Sequence, residues 1–311
     1  MSRKSIKVFS PATVANVVCG FDILGFAVNE PGDELYMELC DEPGVVITSI
    51  EGDEGKLPLD PDKNTVSACV KSVLRHLGKE DLGVKLKLTK KMPLGSGLGS
   101  SSASSVAGIF AINELLGRPL TKHELLPFAM EGEALACGHG HADNVAPALF
   151  GGFTLIKSYE PLEVIQLPVP DLYCALLYPH VDVPTRDARQ IIRSKVALKD
   201  AVIQWGNIAG LVSALYQHDY DLLGRSMKDV IVEPVRSILI PEFDSMKQQA
   251  LANGALGFGI SGSGPTVFSL YRNKEDAEKV LNQLKAFLKE KGIESNIYLS
   301  KVNSEGPIVL E

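Results

Sequence analysis

The sequence predicts two α+β domains, and three observations support this fold class. The 311 residues correspond to about two domains at roughly 150 residues each. Hydrophobic residues make up 45% of the chain and charged residues 22%, an ordinary globular composition. Strand-like alternation and helix-like spacing both occur throughout, which favours α+β units. Segment 160–171 contains three prolines and predicts the boundary, giving domains 1–168 and 169–311.

Two strands and a glycine-rich loop are predicted in the first half. Residues 45–50 form a β-branched run, and residues 84–88 alternate apolar side chains with lysines, the period of a half-buried strand. Segment 93–102 contains too much glycine for a regular element. Apolar spacing over 103–116 predicts a helix directly after it. The loop therefore joins a strand to the N-terminus of a helix.

A capping box follows this helix. Thr121 and Glu124 have its spacing, but Pro127 lies close behind. Two interpretations stay open: the helix begins at the box and kinks at Pro127, or it begins at Pro127. In both cases it runs to about Cys137.

Helices and strands also alternate in the second half. The clearest helix follows Asn273 as N-cap and carries an apolar stripe at i, i+3, i+4 and i+7 up to Gly292. Gly254 stands at the C-cap position of another helix. The remaining predicted elements are helices over 202–216 and 243–253 and strands over 255–260, 266–271 and 295–302, the last one closing the chain.

Charge and hydropathy exclude several classes of protein. The formal charge of −7 argues against a general nucleic-acid binder, which needs a basic face. No apolar run approaches the roughly 18 residues of a membrane span. Lys7 and Ser10 interrupt the stretch where a signal peptide would be apolar. We therefore expect a cytoplasmic protein with neither a nucleic-acid nor a membrane partner.

Cysteines and motif-like patterns do not indicate a metal or dinucleotide site. The glycine pattern over 257–262 matches G-x-G-x-x-G but lies between two predicted strands and opens no helix. His139, His141 and Asp143 lack the i, i+4 spacing of a helical zinc site. The five scattered cysteines predict reduced, mostly buried thiols; they are Cys19, Cys40, Cys69, Cys137 and Cys174.

The glycine loop is the strongest functional signal. Glycines at 95, 97 and 99 allow backbone N–H groups to turn inward, and the following helix adds its unpaired amides and positive dipole end. Together these features form a phosphate cradle, although the G-K-[ST] ending of a Walker A loop is absent. A tight strand-to-helix turn capped by serines is the alternative interpretation.

Three ordered blocks resemble those of the GHMP kinase superfamily: residues 10–22, 93–103 and 259–266. Within it, residues 141–153 and 184–189 are similar to the homoserine kinase family. The resemblance implies an S5-like N-terminal domain, a ferredoxin-like C-terminal domain and a homodimer. It also implies transfer of the γ-phosphoryl group of ATP to the hydroxyl of L-homoserine, in threonine biosynthesis.

The resemblance implies a substrate site that suits the chemistry of homoserine. An ammonium needs an acid and neutral acceptors, and Asn16 and Asp22 supply this end. A carboxylate needs arginine, and Arg189 and Arg236 are the candidates. Thr185 would add a hydroxyl donor. The chain offers two further arginines nearby as competitors, Arg186 and Arg193.

The resemblance also implies a nucleotide site. Magnesium takes hard oxygen ligands, which Ser101 and Glu133 would provide, with Glu131 as the alternative to Glu133. Asn64 would contact adenine, and Lys91 would approach the γ-phosphate. The loop residues assigned to ATP are Pro93, Leu94, Gly95, Ser96, Gly97, Leu98, Gly99, Ser100, Ser101, Ser102 and Ala103.

The acceptor end departs from part of the superfamily. His141 is assigned to the substrate, and Asn144 to the accepting hydroxyl, where some members place an aspartate as general base. Whether Asp143 or Asn144 faces the hydroxyl stays open. An asparagine cannot take the proton, so we expect catalysis by positioning and electrostatics, with Asn144 and Arg189 as the catalytic residues.

Two rival functions stay open. Another GHMP kinase would act on a mevalonate-type or sugar alcohol, but mevalonate has no ammonium for Asp22 to bind. A catalytically silent ATP- or metabolite-binding regulator is disfavoured because Ser101 and Glu133 form a magnesium-type pair.

Overall fold

The α+β prediction is confirmed. The computed structural model describes residues 4–138, 140–183 and 185–310, without the side chains of residues 136, 137 and 185–187. The strands are β1 (Ser5–Ala15), β2 (Leu24–Cys40), β3 (Gly44–Glu51), β4 (Gly83–Thr89), β5 (Phe153–Tyr159), β6 (Leu162–Leu167), β7 (Tyr173–Pro179), β8 (Gly257–Ile260), β9 (Val267–Tyr271), β10 (Ser295–Lys301) and β11 (Ile308–Val309). The α-helices are α1 (Thr65–His76), α2 (Ser100–Leu115), α3 (Lys122–Cys137), α4 (Ala142–Phe150), α5 (Thr185–Gln190), α6 (Leu198–Gln217), α7 (Tyr220–Ser226), α8 (Glu233–Arg236), α9 (Phe243–Ala252) and α10 (Lys274–Glu290), with a 3-10 turn at Ser237–Leu239.

The first sheet has the strand order β11-β1-β2-β4-β3, with β5 pairing the start of β2 and β6 pairing β5. Its pairings are antiparallel except β3 with β4. Strand β2 is long enough to pair with β1 along both its halves, with a register shift between Pro11 and Thr13. The shift lies just before β1 ends, where the chain enters the candidate site.

Helix α2 lies at the centre of the first domain. It contacts α1, α3, α4 and the strands β1 and β2, so almost every side chain on it is buried. Most of its side chains are small or apolar, which suits such a central position. The N-terminus of α2 remains at the edge of this core, directly after the glycine loop.

The second sheet is fully antiparallel, in the order β10-β7-β9-β8. Helices α9 and α10 cover one face, and the predicted stripe of α10 is buried there from Ala277 to Leu288. Another apolar cluster joins the two sheets: Phe26 and Phe153 of the first stack at 4.7 Å, and Phe268 of the second meets Phe26 edge-on at 5.8 Å.

Most predicted elements are confirmed, with shifted ends. Helix α2 begins at Ser100, three residues earlier than predicted. Helix α3 begins at Lys122 with both capping-box bonds formed and continues through Pro127, so it begins at the box and not at Pro127. The kink at Pro127 stays a prediction. Strand β10 is not the last one, because β11 follows and pairs with β1.

Other local predictions are confirmed within the described residues. The G-x-G-x-x-G segment forms β8 and a turn into β9, so it opens no helix. Cys19, Cys69 and Cys174 are buried free thiols, and Cys40 is partly exposed; the Cys137 side chain lies outside the described residues. No helix in the described ranges has the length and apolarity needed to cross a membrane.

Candidate active site

The glycine loop is held in place by the third sequence block. Ser261 donates a hydrogen bond from Oγ to the carbonyl of Gly97 at 2.7 Å, and the backbone N–H of Thr266 donates to the Ser96 carbonyl at 3.1 Å. Gly97 has a φ of +82°, and a Cβ on it would overlap the Ser261 carbonyl oxygen. Glycine is therefore required here both for its backbone conformation and for its small size.

The loop opens onto a pocket of about 490 Å³. The predicted site residues that line it are Asn16, Asp22, Asn64, Leu94, Gly95, Ser96, Gly97, Gly99, Ser100, Ser101, Glu133, His141, Asn144, Arg189 and Arg236. Because the helix α2 begins at Ser100, its first backbone amides stand at this wall. The arrangement can hold a phosphate chain.

Four predicted loop residues do not line this pocket: Pro93, Leu98, Ser102 and Ala103. Leu98 and Ala103 are buried in the apolar cluster between the sheets, where they anchor the loop and the helix. The hydroxyl of Ser102 instead bonds Glu133 at 2.9 Å.

Ser101 and Glu133 lie together at the pocket. The Ser101 hydroxyl donates to Glu133 Oε2 at 2.9 Å, and the Glu133 side chain is buried. Glu131 is directed elsewhere, where it accepts a 2.5 Å hydrogen bond from Ser72. The side chains of Glu131 and Glu133 point in different directions, because residues two positions apart lie on nearly opposite faces of a helix. A hydroxyl and a carboxylate oxygen side by side fit a magnesium ion, which accepts few protein ligands.

The lysine next to the loop differs from the prediction. Lys91 pairs with Glu34, is half exposed and does not line the pocket, so its predicted approach to the γ-phosphate is not seen. Its neighbour Lys90 lines the pocket and is buried in an ion pair with Asp33. Burial lowers the pKa of Lys90, and the nearby Asp33 carboxylate opposes this effect.

This buried pair connects three elements beneath the loop. Lys90 Nζ also donates to the Ser100 carbonyl at 2.9 Å and to the Ser104 hydroxyl at 2.7 Å. Asp33 on β2 accepts from the Ser100 hydroxyl at 2.9 Å and from the Lys91 backbone at 2.8 Å. The start of α2 is thereby fixed relative to the first sheet.

The turn after β1 carries the first block in a strained conformation. Asn16, Val17, Val18 and Asp22 have φ values of +72°, +41°, +62° and +60°. For β-branched valines such values are true outliers and cost on the order of 1–3 kcal/mol each. Asn16 stabilises the turn, since its amide donates to the Gly262 carbonyl at 2.8 Å and accepts from the Asp22 backbone at 3.0 Å.

The predicted acid and the predicted arginine contact each other. Arg189 Nη2 and Asp22 Oδ2 are 2.7 Å apart, in a pair that is partly open to solvent. Arg236 is buried, donates to the carbonyls of Ala188 and Gly262 at 3.0 Å each, and lies 5.0 Å from the ring centre of Phe21. Burial lowers the pKa of Arg236, and the Asp22 carboxylate opposes this.

Of the two competing arginines, only the Arg193 side chain is described, and it lies away from this site. Arg193 is exposed and does not line the pocket. The side chains of Thr185 and Arg186 lie outside the described residues, as does His139. The substrate contact predicted for Thr185 therefore stays a prediction.

Asn144 lies on α4 and faces the pocket. Its Oδ1 accepts a 2.7 Å hydrogen bond from the Thr13 hydroxyl on β1. His141 precedes the helix as its N-cap residue and lines the same pocket. Asn64 also lines it, but its amide caps α1 through the Val66 backbone at 3.1 Å. Asn64 thus has a structural task besides the predicted adenine contact.

The pocket strongly perturbs the carboxyl group of Asp143. Burial raises its pKa to about 7, and the negative charges of Asp22 and Glu133 add to the shift, while Arg189 opposes it. Within the described part of the chain its Oδ1 has no hydrogen-bond partner. The neutral, protonated form of this carboxyl is therefore favoured far more than in an ordinary aspartate.

Sequence reasoning gave no role to Thr13, Asp33 or Lys90. Thr13 lies within the first block, three residues before Asn16, and this position is a signal that the sequence offers. Lys90 differed from Lys91 only in strand phase, which the alternation over 84–88 could have extended. Asp33 carried no local signal, because its partners lie 57 to 67 residues away.

Comparison with known families defines the class of protein. The family model "GHMP kinases N terminal domain" matches residues 64–152, and "GHMP kinases C terminal" matches residues 211–290. The fold is also similar to that of the L. major mevalonate kinase solved with R-mevalonate, with a TM-score of 0.73 at 18% identity, covering 97% of this chain and 99% of that chain. The two-domain GHMP kinase fold is thus confirmed.

Two closer relatives define the family. The homoserine kinase of Chloroherpeton thalassium is 47% identical over 318 residues, covering 99% of this chain and all of that relative. A crystal structure of homoserine kinase from Cytophaga hutchinsonii superimposes with a TM-score of 0.97 at 57% identity, covering 100% of this chain and 98% of that chain. This chain belongs to the homoserine kinase family of ATP-dependent phosphotransferases.

Proposed function

We propose that this chain transfers the γ-phosphoryl group of ATP to the hydroxyl of L-homoserine, forming O-phospho-L-homoserine in threonine biosynthesis. One observation carries the proposal: a glycine loop at a helix N-terminus and an acid–arginine pair open onto the same pocket. The first feature suits a triphosphate and the second an amino acid.

The acid–arginine pair suits a zwitterion. An incoming amino acid would place its ammonium on Asp22 and its carboxylate on Arg189, replacing one ion pair by two. A partly exposed ion pair is worth only about 0–1 kcal/mol, so separating it costs little. Arg236 adds a second positive charge that is held rigidly by two backbone carbonyls. His141 is proposed to contact the same substrate.

The mechanism relies on positioning. Phosphoryl transfer passes through a loose transition state in which alignment and charge neutralisation dominate. The loop amides hold the phosphates, and Asn144 orients the accepting hydroxyl. The Asn144 amide cannot accept the proton of this hydroxyl. The proton therefore leaves to the transferred phosphoryl group or to water. Good alignment contributes about 7–11 kcal/mol, more than a general base, which is worth about 10²–10⁴-fold in rate.

Magnesium is part of the proposal. Ser101 and Glu133 would hold the ion, because their oxygens meet at the pocket wall and carry the right chemistry. When bound, Mg²⁺ neutralises charge on the phosphate oxygens. Ser101 also stands in the first turn of α2, beside the amides that hold the phosphates.

A coupled assay tests the function directly. ADP release is measured with ATP and Mg²⁺ and with homoserine, mevalonate or galactose as acceptor. We expect turnover with homoserine alone. Turnover with one of the other alcohols would indicate another GHMP kinase, and ATP binding without turnover would indicate a silent regulator.

A variant tests the substrate site. Replacing Asp22 by Asn removes the charge under the ammonium, and a charge-assisted hydrogen bond is worth about 1.5–3 kcal/mol. We expect KM for homoserine to rise about tenfold to a hundredfold, with KM for ATP unchanged. Asp41→Asn, at an exposed turn, is the control. In a crystal with homoserine, a carboxylate placed away from Arg189 would contradict the assignment.

The homodimer expected from the family is proposed to form through α6. Leu198, Val202 and Trp205 follow one helical stripe, and they are 72%, 54% and 59% exposed. An exposed apolar stripe of this kind is typical of an interaction site. Light scattering should show monomers for Trp205→Glu. Ile238→Glu is the control, because it also replaces an exposed apolar side chain by a charge but lies away from the stripe, and it should remain a dimer. The domain division at residue 168 and the cytoplasmic location stay predictions.

A further inference from the structure

Thr13 occupies a position that no substrate-binding role explains. Its side chain is completely buried in β1. Its backbone N–H donates to the Leu98 carbonyl at 3.0 Å, at the glycine loop, and its hydroxyl donates to Asn144 Oδ1 at 2.7 Å. One residue therefore bonds both the loop that holds the nucleotide and the side chain assigned to the accepting hydroxyl.

The hydrogen bond determines which end of the Asn144 amide is available. A primary amide has one acceptor oxygen and one NH₂ group with two donors. Because the oxygen accepts from Thr13, the NH₂ group is the end left for the pocket that Asn144 lines. A donor in this position bonds the lone pairs of a hydroxyl or phosphoryl oxygen and leaves the hydroxyl proton free to depart.

We propose that Thr13 is a positioning residue, whose hydroxyl fixes Asn144 with its NH₂ group directed at the reacting oxygens. The proposal rests on the proposed function and deepens it, because it concerns the same site. It requires neither a charge nor a base at Thr13. The role needs only a buried hydroxyl, which acts on the substrate through the side-chain amide of Asn144.

Gly99 supports this geometry. A Cβ on Gly99 would overlap the Thr13 hydroxyl and lie 2.9 Å from Asn144 Oδ1. The glycine, with a φ of +69°, therefore lets the loop pack directly on the Thr13–Asn144 bond. Gly99 is also the N-cap residue of α2. The phosphate loop and the amide are thus aligned by a shared contact, and transfer requires this alignment.

Two substitutions separate the hydroxyl from the shape of the side chain. Thr13→Val has the same shape without the donor, and Thr13→Ser keeps the donor. We expect Thr13→Val to lower kcat about tenfold to a hundredfold, while KM for ATP changes less than threefold. Thr13→Ser should recover kcat to within about threefold of the wild type. Equal losses in both variants, or an unchanged kcat in Thr13→Val, would overturn the proposal.

A double-mutant cycle with Asn144→Ala tests whether Thr13 acts through the amide. If it does, Thr13→Val lowers kcat no further in the Asn144→Ala background. If it lowers kcat by the same factor in both backgrounds, Thr13 acts independently and the proposal fails. The melting temperature of each variant shows whether a lower kcat comes from impaired folding. The conservative Thr13→Ser variant and the double-mutant cycle keep the proposal testable if Thr13→Val folds poorly. Wild-type turnover of homoserine in the same assay tests the proposed function separately.

Discussion

Replacing Asp143 by Asn should make the protein more stable at alkaline pH. The side chain is 2% exposed, and burial together with the nearby Asp22 and Glu133 carboxylates raises its pKa to about 7. In the unfolded chain the same group titrates near its ordinary value of 3.8. The folded protein therefore holds a proton, between these two pH values, that the unfolded chain has already lost.

The sign and size of the effect follow from this difference. The contribution of the Asp143 carboxyl to the free energy of unfolding is fully present below about pH 4. It is lost as the pH rises through about 7, because the folded state must then carry a buried charge. Each pKa unit corresponds to about 1.36 kcal/mol, so the shift from 3.8 to about 7 gives an upper bound of about 4 kcal/mol. Relaxation around the charge reduces this, and we expect a gain of about 1–3 kcal/mol for Asp143→Asn at pH 8.

Urea unfolding at several pH values between 4 and 9 measures the effect. The difference in unfolding free energy between Asp143→Asn and the wild type should grow from near zero at pH 4 as the pH rises to about 7, and then level off. The two proteins should agree near pH 4, where the wild-type carboxyl is protonated. Asp41→Asn, at an exposed turn, should follow the wild-type profile. If Asp143→Asn also follows that profile up to pH 9, the argument from burial is refuted.

The same variant tests the absence of a general base. Asp143 lines the pocket next to Asn144, and a pKa of about 7 would suit proton transfer. If positioning dominates, Asp143→Asn should retain kcat within about tenfold at pH 8. A loss of several decades in a folded variant would assign the proton to Asp143 instead.

Two further predictions concern charges beneath and beside the loop. Lys90→Met leaves the Asp33 charge buried and unpaired, so unfolding in urea should show a loss of about 3–5 kcal/mol, part of which Lys90→Met/Asp33→Asn recovers. An equal loss in both variants would refute the ion-pair argument. Glu133→Gln should raise the Mg²⁺ concentration needed for half-maximal rate at least tenfold, with Glu131→Gln as the control on the opposite helix face. An unchanged Mg²⁺ requirement would remove Glu133 from the metal site.

Local signals predicted the elements that position the site. The glycine loop between β4 and α2 followed from alternation, glycine content and helical spacing, all of which act over a few residues. The capping box at Thr121 fixed the start of α3, although Pro127 left its course open. Tertiary packing decided this point, since α3 packs against α1, α2 and α4.

Long-range pairing was beyond the reach of the sequence. Asp22 and Arg189 are 167 residues apart, and their separate assignment to an ammonium and a carboxylate gave no reason to expect a mutual ion pair. Lys90 and Lys91 are the same residue type at neighbouring positions. The Lys90 side chain enters the core, whereas the half-exposed Lys91 side chain pairs with Glu34. Strand phase, continued from residues 84–88, places Lys90 on the buried side. What only the fold shows is that Asp33 on the neighbouring strand pairs with it there.

The three sequence blocks therefore have a shared physical basis. Ser261 of the third block bonds Gly97 of the second, and Thr13 of the first bonds Asn144 beside Gly99. The Lys90–Asp33 pair fixes the same loop from below. A reaction that depends on alignment gains nothing from a loosely held loop, since misplacement by about 1 Å can cost a hundredfold in rate. The buried polar contacts around the loop hold it in place as this reaction requires. The strained turn at Val17 and Val18 is tolerated because it holds Asp22 at the rim of the same pocket.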